Sequence, residues 1–354
     1  MTSPTLRRAT PSAALLFLLT LTPWGGGALT AQEEIRLSGD EVGIHNLAGM
    51  VRLVPGSGSE TVVRLTRGGD AGGDLRIETG QVRGRATLRV VYPDDELVYP
   101  AMGRRSRTTT RVTSDGFLGE GGESVTVRGS GRGTEAWADL VVEIPAGVDT
   151  ELRLAVGEVE ADGVDGTLLV DTGSGEVRTR NTSGRLTVDT GSGEISVRGA
   201  SGPVFLDTGS GSIQVEGVRG EVLEVDTGSG GVQGSDLRTD EVLVDTGSGS
   251  IRLASVTARF VHLDTGSGSV ELSLDGDVES LEVDTGSGSI TVEAPEDLGA
   301  EIELDTGSGG IDVDFPVQVR SASRDHMEGT LGDGQGEIRI DTGSGSIRLR
   351  RVRR

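Results

Sequence analysis

Val242-Leu-Val-Asp-Thr-Gly-Ser-Gly-Ser-Ile-Arg-Leu253 holds the decisive pattern of this chain. Val242 and Val244 alternate with other residues up to Asp245. Ile251 and Leu253 alternate again beyond Gly249. Both halves have the period of two that marks a strand with one buried face. Gly247-Ser248-Gly249 between them reads as a tight corner needing a permissive backbone. Alternation counted from the inward Val244 puts Asp245 outside and Thr246 inside.

The same corner, Asp-Thr-Gly-Ser-Gly, occurs nine times, starting at Asp171, Asp189, Asp207, Asp226, Asp245, Asp264, Asp284, Asp305 and Asp341. Successive starts lie 18, 18, 19, 19, 19, 20, 21 and 36 residues apart. The last interval equals two turns of 18, and predicts one degenerate copy around Gly332-Asp333-Gly334-Gln335-Gly336. A further apolar position recurs in the linking segments, at Val218, Leu237, Val256 and Leu298. A unit this short cannot bury its own apolar face, but stacked units can. The predicted fold is all-β: a β-solenoid, or β-helix, of about 18–20 residues per coil, preceded by an irregular β N-terminal region. Ten or eleven coils at ~4.8 Å would make a rod of roughly 50 Å.

Around this core the chain divides into an expected signal peptide at 1–31, an N-terminal β region at 32–150, the repeat at 151–350 and a basic tail at 351–354. The leader has Arg7 and Arg8, an apolar run over 13–21, and small residues before a cut after Ala31. Its run is too short for a bilayer span, and no other long apolar run follows in the mature chain. Export to the periplasm, cell surface or medium is expected. Residues 93–136 look like an irregular insertion carrying Arg104, Arg105, Arg107 and Arg111, either a partner-docking cluster or a solvated loop. The terminal arginines, Arg348 to Arg354, are expected to blunt an exposed sheet edge where the stack ends.

Composition removes several functions. The chain has 354 residues, 58 of them Gly and none Cys, so disulfides and Cys-ligated metals are absent. Its formal charge is -23, and losing Arg7 and Arg8 with the leader takes it to -25. Such a surface repels nucleic acid. Every basic residue is Arg, so no glycine corner is followed by the Lys of a phosphate loop.

Stacked corners would align the aspartates about 4.8 Å apart, where two unit charges in water repel by roughly 0.9 kcal/mol. Two accounts of that column stay open: Asx-turns, in which each carboxylate accepts N–H groups of its own corner, or cations such as calcium between carboxylates. Calcium-binding nonapeptide repeats place Asp after the glycines, whereas here it precedes them. Leu169-Val170-Asp171-Thr172-Gly173-Ser174 also matches the aspartic-protease string. That chemistry pairs two aspartates across lobes, and nine copies at coil spacing do not fit it. Sugar-cleaving sites need asymmetric polar grooves and aromatic platforms. Groove positions that repeat almost identically, with only Trp137, Tyr92 and Tyr99 as large aromatics beyond the leader apart from Phe, argue against them. His45, His262 and His326 show no ligand spacing and read as surface or corner residues. No catalytic, cofactor or metal residue is assigned.

Ile44-x-Asn46-x-x-Gly49-x-Val51, then Val142-x-Ile144-Pro145-x-Gly147, then runs of Thr-Gly-Ser-Gly-x-Ile, resemble the bacterial putative-adhesin family of β-strand-repeat proteins, a domain of unknown function. The likeness spans roughly 42–350. It implies a β-solenoid and an adhesin-like, non-enzymatic role with a protein or glycan partner at the envelope. A periplasmic structural or sensory role and a calcium-binding solenoid are the alternatives.

Overall fold

A computed structural model describes residues 32–119 and 121–352. The expected leader at 1–31 and the last two tail residues lie outside them. Among the described residues, the regular elements are β-strands apart from two single-turn 3-10 helices, Gly72–Asp74 and Pro100–Met102.

The strands preceding the corners form one parallel ladder. Leu168–Ser174, Leu186–Thr190 and Val204–Thr208 pair in turn, with Asp beside Asp and Thr beside Thr. The strands following the corners form a second: Val177–Arg180 beside Ile195–Arg198, then Ile213–Glu216. A third, thinner line joins Asp165, Ser183, Ser201 and Arg219 through isolated bridges, and continues with Leu237 beside Val256. Each unit therefore satisfies its backbone N–H and C=O groups on neighbouring units. Inward columns fill the space between: Val188, Val197, Val218 and Leu237 are essentially inaccessible. Each such side chain contributes roughly 1.5–3 kcal/mol by burial.

Spatial order departs from chain order at both ends. Gly336–Thr342 lies between Ser280–Thr285 and Ala300–Thr306. Ile347–Val352 likewise lies between Ile290–Pro295 and Ile311–Val313. The long last interval therefore holds no degenerate coil. It holds an antiparallel hairpin, Val317–Ala322 with His326–Leu331, whose second strand covers Ala300–Thr306. Gly332 and Gly334, at φ 52° and 68°, turn the chain back inward. Arg348 to Arg351 do not blunt the end of the stack: Ile347–Leu349 is paired on both sides, and residues 350–352 are paired on one. Arg350 reaches Asp312 at 2.8 Å and Asp314 at 3.2 Å, and Arg351 reaches Glu296 at 3.3 Å. The second ladder ends instead on the three-residue strand Ile311–Val313.

The beginning uses the same device. Glu41–Ala48 sits between Asp149–Val156 and Arg85–Val91. Val51–Pro55 sits between Val159–Asp162 and Trp137–Ile144. Parallel stacking therefore already includes residues 41–55, well before position 150. Antiparallel strands Arg76–Val82, Thr61–Gly68 and Gln32–Leu37 lie outside it.

The insertion is not irregular. Glu96–Val98, Arg107–Val112, Glu123–Arg128 and Thr134–Glu135 make a separate four-stranded sheet. Leu97, Val125 and Val127 form its core and pack against Leu47, Ala155 and Val156 of the main stack. That apolar seam fixes its position.

Candidate functional site: an acidic column and a polar groove

The nine aspartates form one column, in the spatial order 171, 189, 207, 226, 245, 264, 284, 341, 305. They point outward or sit half-buried, while the adjoining threonines are buried, as alternation predicts. At two corners a threonine, and not the aspartate, takes the role of the Asx-turn. Thr227 Oγ1 accepts the Gly230 N–H at 3.0 Å and donates to the Gly211 carbonyl of the preceding unit at 3.1 Å. Thr246 repeats both bonds with Gly249 and Gly230, each at 3.0 Å. Only at the start does the column run hydroxyl to hydroxyl, from Thr172 to Thr190 at 2.8 Å. The second corner glycine is needed for close approach: a Cβ on Gly230 would overlap the Gly211 carbonyl.

The carboxylates are left largely to one another. Two meet a cationic group: Asp171 has Arg153 at 3.1 Å, and Asp305 has His326 at 2.8 Å. Burial first, then flanking aspartates, pushes Asp189, Asp226, Asp284 and Asp341 above the usual carboxylate value. Asp305 in turn raises His326 through their hydrogen bond. Among the described residues, no group of three or more His, Asp or Glu is arranged to hold a metal ion.

The three histidines stay in separate places. His262 is half-exposed and faces Glu282 at 3.1 Å. His45 is buried, against expectation. Its Nδ1 accepts the Leu118 N–H at 3.3 Å, and its ring meets Phe117 edge-on at 5.0 Å. Burial, then Arg153, Arg89 and Arg85, lower its pKa from 6.5 to about 4. This neutral ring fastens the insertion to the stack. Arg89 adds an ion pair to Asp115 at 2.7 Å and lies over the Phe117 ring at 4.6 Å. No sequence spacing signals the pairing, because Phe117 lies in a segment without alternation. Arg104, Arg105, Arg107 and Arg111 are exposed on the insertion and make no ion pair among the described residues.

Tyr92 and Asn46 belong to a structural clamp. The Tyr92 hydroxyl lies 2.8 Å from both Asn46 Oδ1 and the Ala48 carbonyl, which share its one proton, and Asn46 Nδ2 donates to the Ala138 carbonyl at 2.8 Å. Desolvation of the hydroxyl holds the Tyr92 phenol protonated far above its ordinary value. Trp137 stacks obliquely on Tyr99, ring centres 5.8 Å apart.

A second surface escaped sequence reading. The outer face of the second ladder carries an open groove of about 510 Å³, running from Ser196 to Thr291. The outward positions there change from unit to unit, against the expectation of near-identical groove positions.

The fold and its column define an all-β strand-repeat protein. Residues 179–350 match the family described as Toastrack DUF4097. No curated protein matches the chain. Among solved structures, a "putative cell adhesion protein" from Clostridium sporogenes is 10% identical, with TM-score 0.23, covering 91% of this chain and 99% of that one. A "putative lipid binding protein" from Parabacteroides distasonis is 14% identical, with TM-score 0.29, covering 91% and 96%. A "putative adhesin" from the same organism is 9% identical, with TM-score 0.25, covering 90% and 95%. TM-scores this low carry no weight for fold or function. No helix among the described residues is long and apolar enough to cross a membrane.

Proposed function

We propose that this is a non-enzymatic, exported β-solenoid of 18–20 residues per coil that offers an extended acidic face to partners at the cell envelope or surface. Its mature form begins after residue 31, and its repeat proper spans 151–350. The near-constant interval between in-register parallel strands supports the solenoid reading. The leader sequence supports export. The observation that carries the role is the column itself: nine carboxylates in one line, two of them with a cationic partner. A stable core gains nothing from aligning like charges, so their alignment favours an external partner, protein or glycan, with complementary groups.

The test is adsorption of the purified mature protein to isolated envelopes. Wild type should bind saturably and weaken with salt. A variant with Asp207, Asp226, Asp245, Asp264 and Asp284 all changed to Asn should lose most of that binding. Equal adsorption by both proteins overturns the role of the acidic face.

A further inference from the structure

The groove on the second ladder is a second long surface with no assigned role. One wall is the outward row Ser196, Gln214, Gln233, Arg252, Glu271 and Thr291. At in-register spacing its five steps cover roughly 24 Å. Its floor is low because the parallel row carries small residues, Ser235, Ala254 and Ser273, between the larger Glu216 and Glu293.

Three properties narrow what fits. First, the strands beneath the groove are paired on both sides. A peptide would find no free strand edge to extend, which is how sheets usually capture extended peptides. Second, Ala254 is the only outward-facing lining side chain without a polar group. The groove is open and its apolar surface is the stems of polar side chains, so a lipid or drug-like apolar molecule would stay largely in water there. Third, the lining holds two arginines and three glutamates in a chain of formal charge -23. A polycation would favour the aspartate column, and a polyanion meets repulsion overall.

What remains is a rich supply of neutral and exchangeable hydrogen-bonding groups. Gln233, Ser235, Ser273 and Thr291 make no side-chain hydrogen bond to protein among the described residues. The pairs Arg198–Glu216, at 3.6 Å, and Arg252–Glu271, at 3.3 Å, have every partner more than half exposed. Such pairs hold each other weakly and can redirect toward a ligand. Amide, hydroxyl, guanidinium and carboxylate groups at a regular step complement a polymer presenting donor-and-acceptor hydroxyls at a regular step.

We propose that this groove is a binding site for a neutral, extended oligosaccharide, with Gln214, Gln233, Arg252 and Glu271 contacting successive sugars. The proposal rests on the non-enzymatic interaction role given above and names one class of partner for it.

The test is calorimetric titration of the mature protein with two neutral hexasaccharides, a β-1,4-linked glucose hexamer and an N-acetylglucosamine hexamer. At least one should bind saturably. Ala254→Trp fills the low floor at an exposed position and should weaken binding tenfold or more. Gln233→Ala should weaken it several-fold, with both melting temperatures unchanged. Absence of binding by both hexamers overturns the groove proposal, as does unchanged affinity in Ala254→Trp. Envelope adsorption measured on the same samples separates the two readings. If hexamers fail while column-dependent adsorption persists, only the groove proposal falls. If hexamers bind and adsorption fails, the acidic face loses its role and the groove stands.

Discussion

Asp341 lies directly beside Asp284 in the acidic column, although Asp305 comes between them in the sequence. The last unit of the chain is thus inserted into the stack. Ile340 and Leu349 in that unit are fully buried, whereas Val313 on the true outer strand is half-exposed. Leu349→Ala should therefore cost about 2–5 kcal/mol. Val313→Ala should cost under about 1 kcal/mol, having less burial to lose. Urea unfolding compares them, and equal costs would contradict the insertion.

Stacked corners make a second prediction. Gly230→Ala forces a Cβ onto the Gly211 carbonyl, whereas a Cβ at Gly276 meets nothing within 4 Å. The first change should destabilise by about 1–3 kcal/mol, as an overpacked site does. The second should be neutral or stabilise by up to about 1 kcal/mol through the unfolded chain. Thermal melts of the two variants decide it.

The column should respond to pH and salt. Asp189, Asp226, Asp284 and Asp341 have folded values above the ordinary 3.8. Above pH 3.8 the folded chain therefore retains protons that the unfolded chain has released. Their contribution to stability falls as pH rises through the raised values and then levels off. Asp226→Asn should raise the melting temperature at pH 7, by the equivalent of up to about 1 kcal/mol given solvent screening. The gain should vanish below pH 3.8. Sodium and calcium chloride at equal ionic strength should stabilise equally. A much larger calcium effect would mean specific cation binding.

His45 gives the opposite sign. Its folded value is about 4 against an ordinary 6.5, so the unfolded chain binds the extra proton in that range. Stability present above pH 6.5 is lost as pH falls toward 4, by roughly 2–3 kcal/mol. Loosening should begin where the insertion meets the stack. Trp137, packed against Tyr99 in that seam, can report it by fluorescence. His45→Gln should flatten the response over that window, and an unaltered profile would remove His45 from the fastening.

The corner, the inward threonines and the outward aspartates were legible because a period of two assigns faces without tertiary information. Val218, Leu237, Val256 and Leu298 were legible as a recurring apolar position, and all four are buried. The order of units was not. Identical corners stack equally well on one another, so the pentapeptide at Asp341 carries no mark of its neighbour. The hairpin of Val317–Ala322 and His326–Leu331 decides it, and Gly332 and Gly334, which lead out of it, resemble a worn corner. The insertion sheet was hidden by short strands separated by Gly and Ser. At Thr227 and Thr246 the Asx-turn reading missed that Thr, like Asp, can accept a corner N–H.

The most direct test of the central claim, an exported repeat offering its acidic face, is fractionation of intact cells combined with protease shaving. The account predicts a mature chain beginning after residue 31 and found outside the cytoplasm, with cleavage by added protease placing its acidic face at the surface and protection placing it within the envelope. A chain retaining residues 1–31 in the cytoplasm would contradict the account.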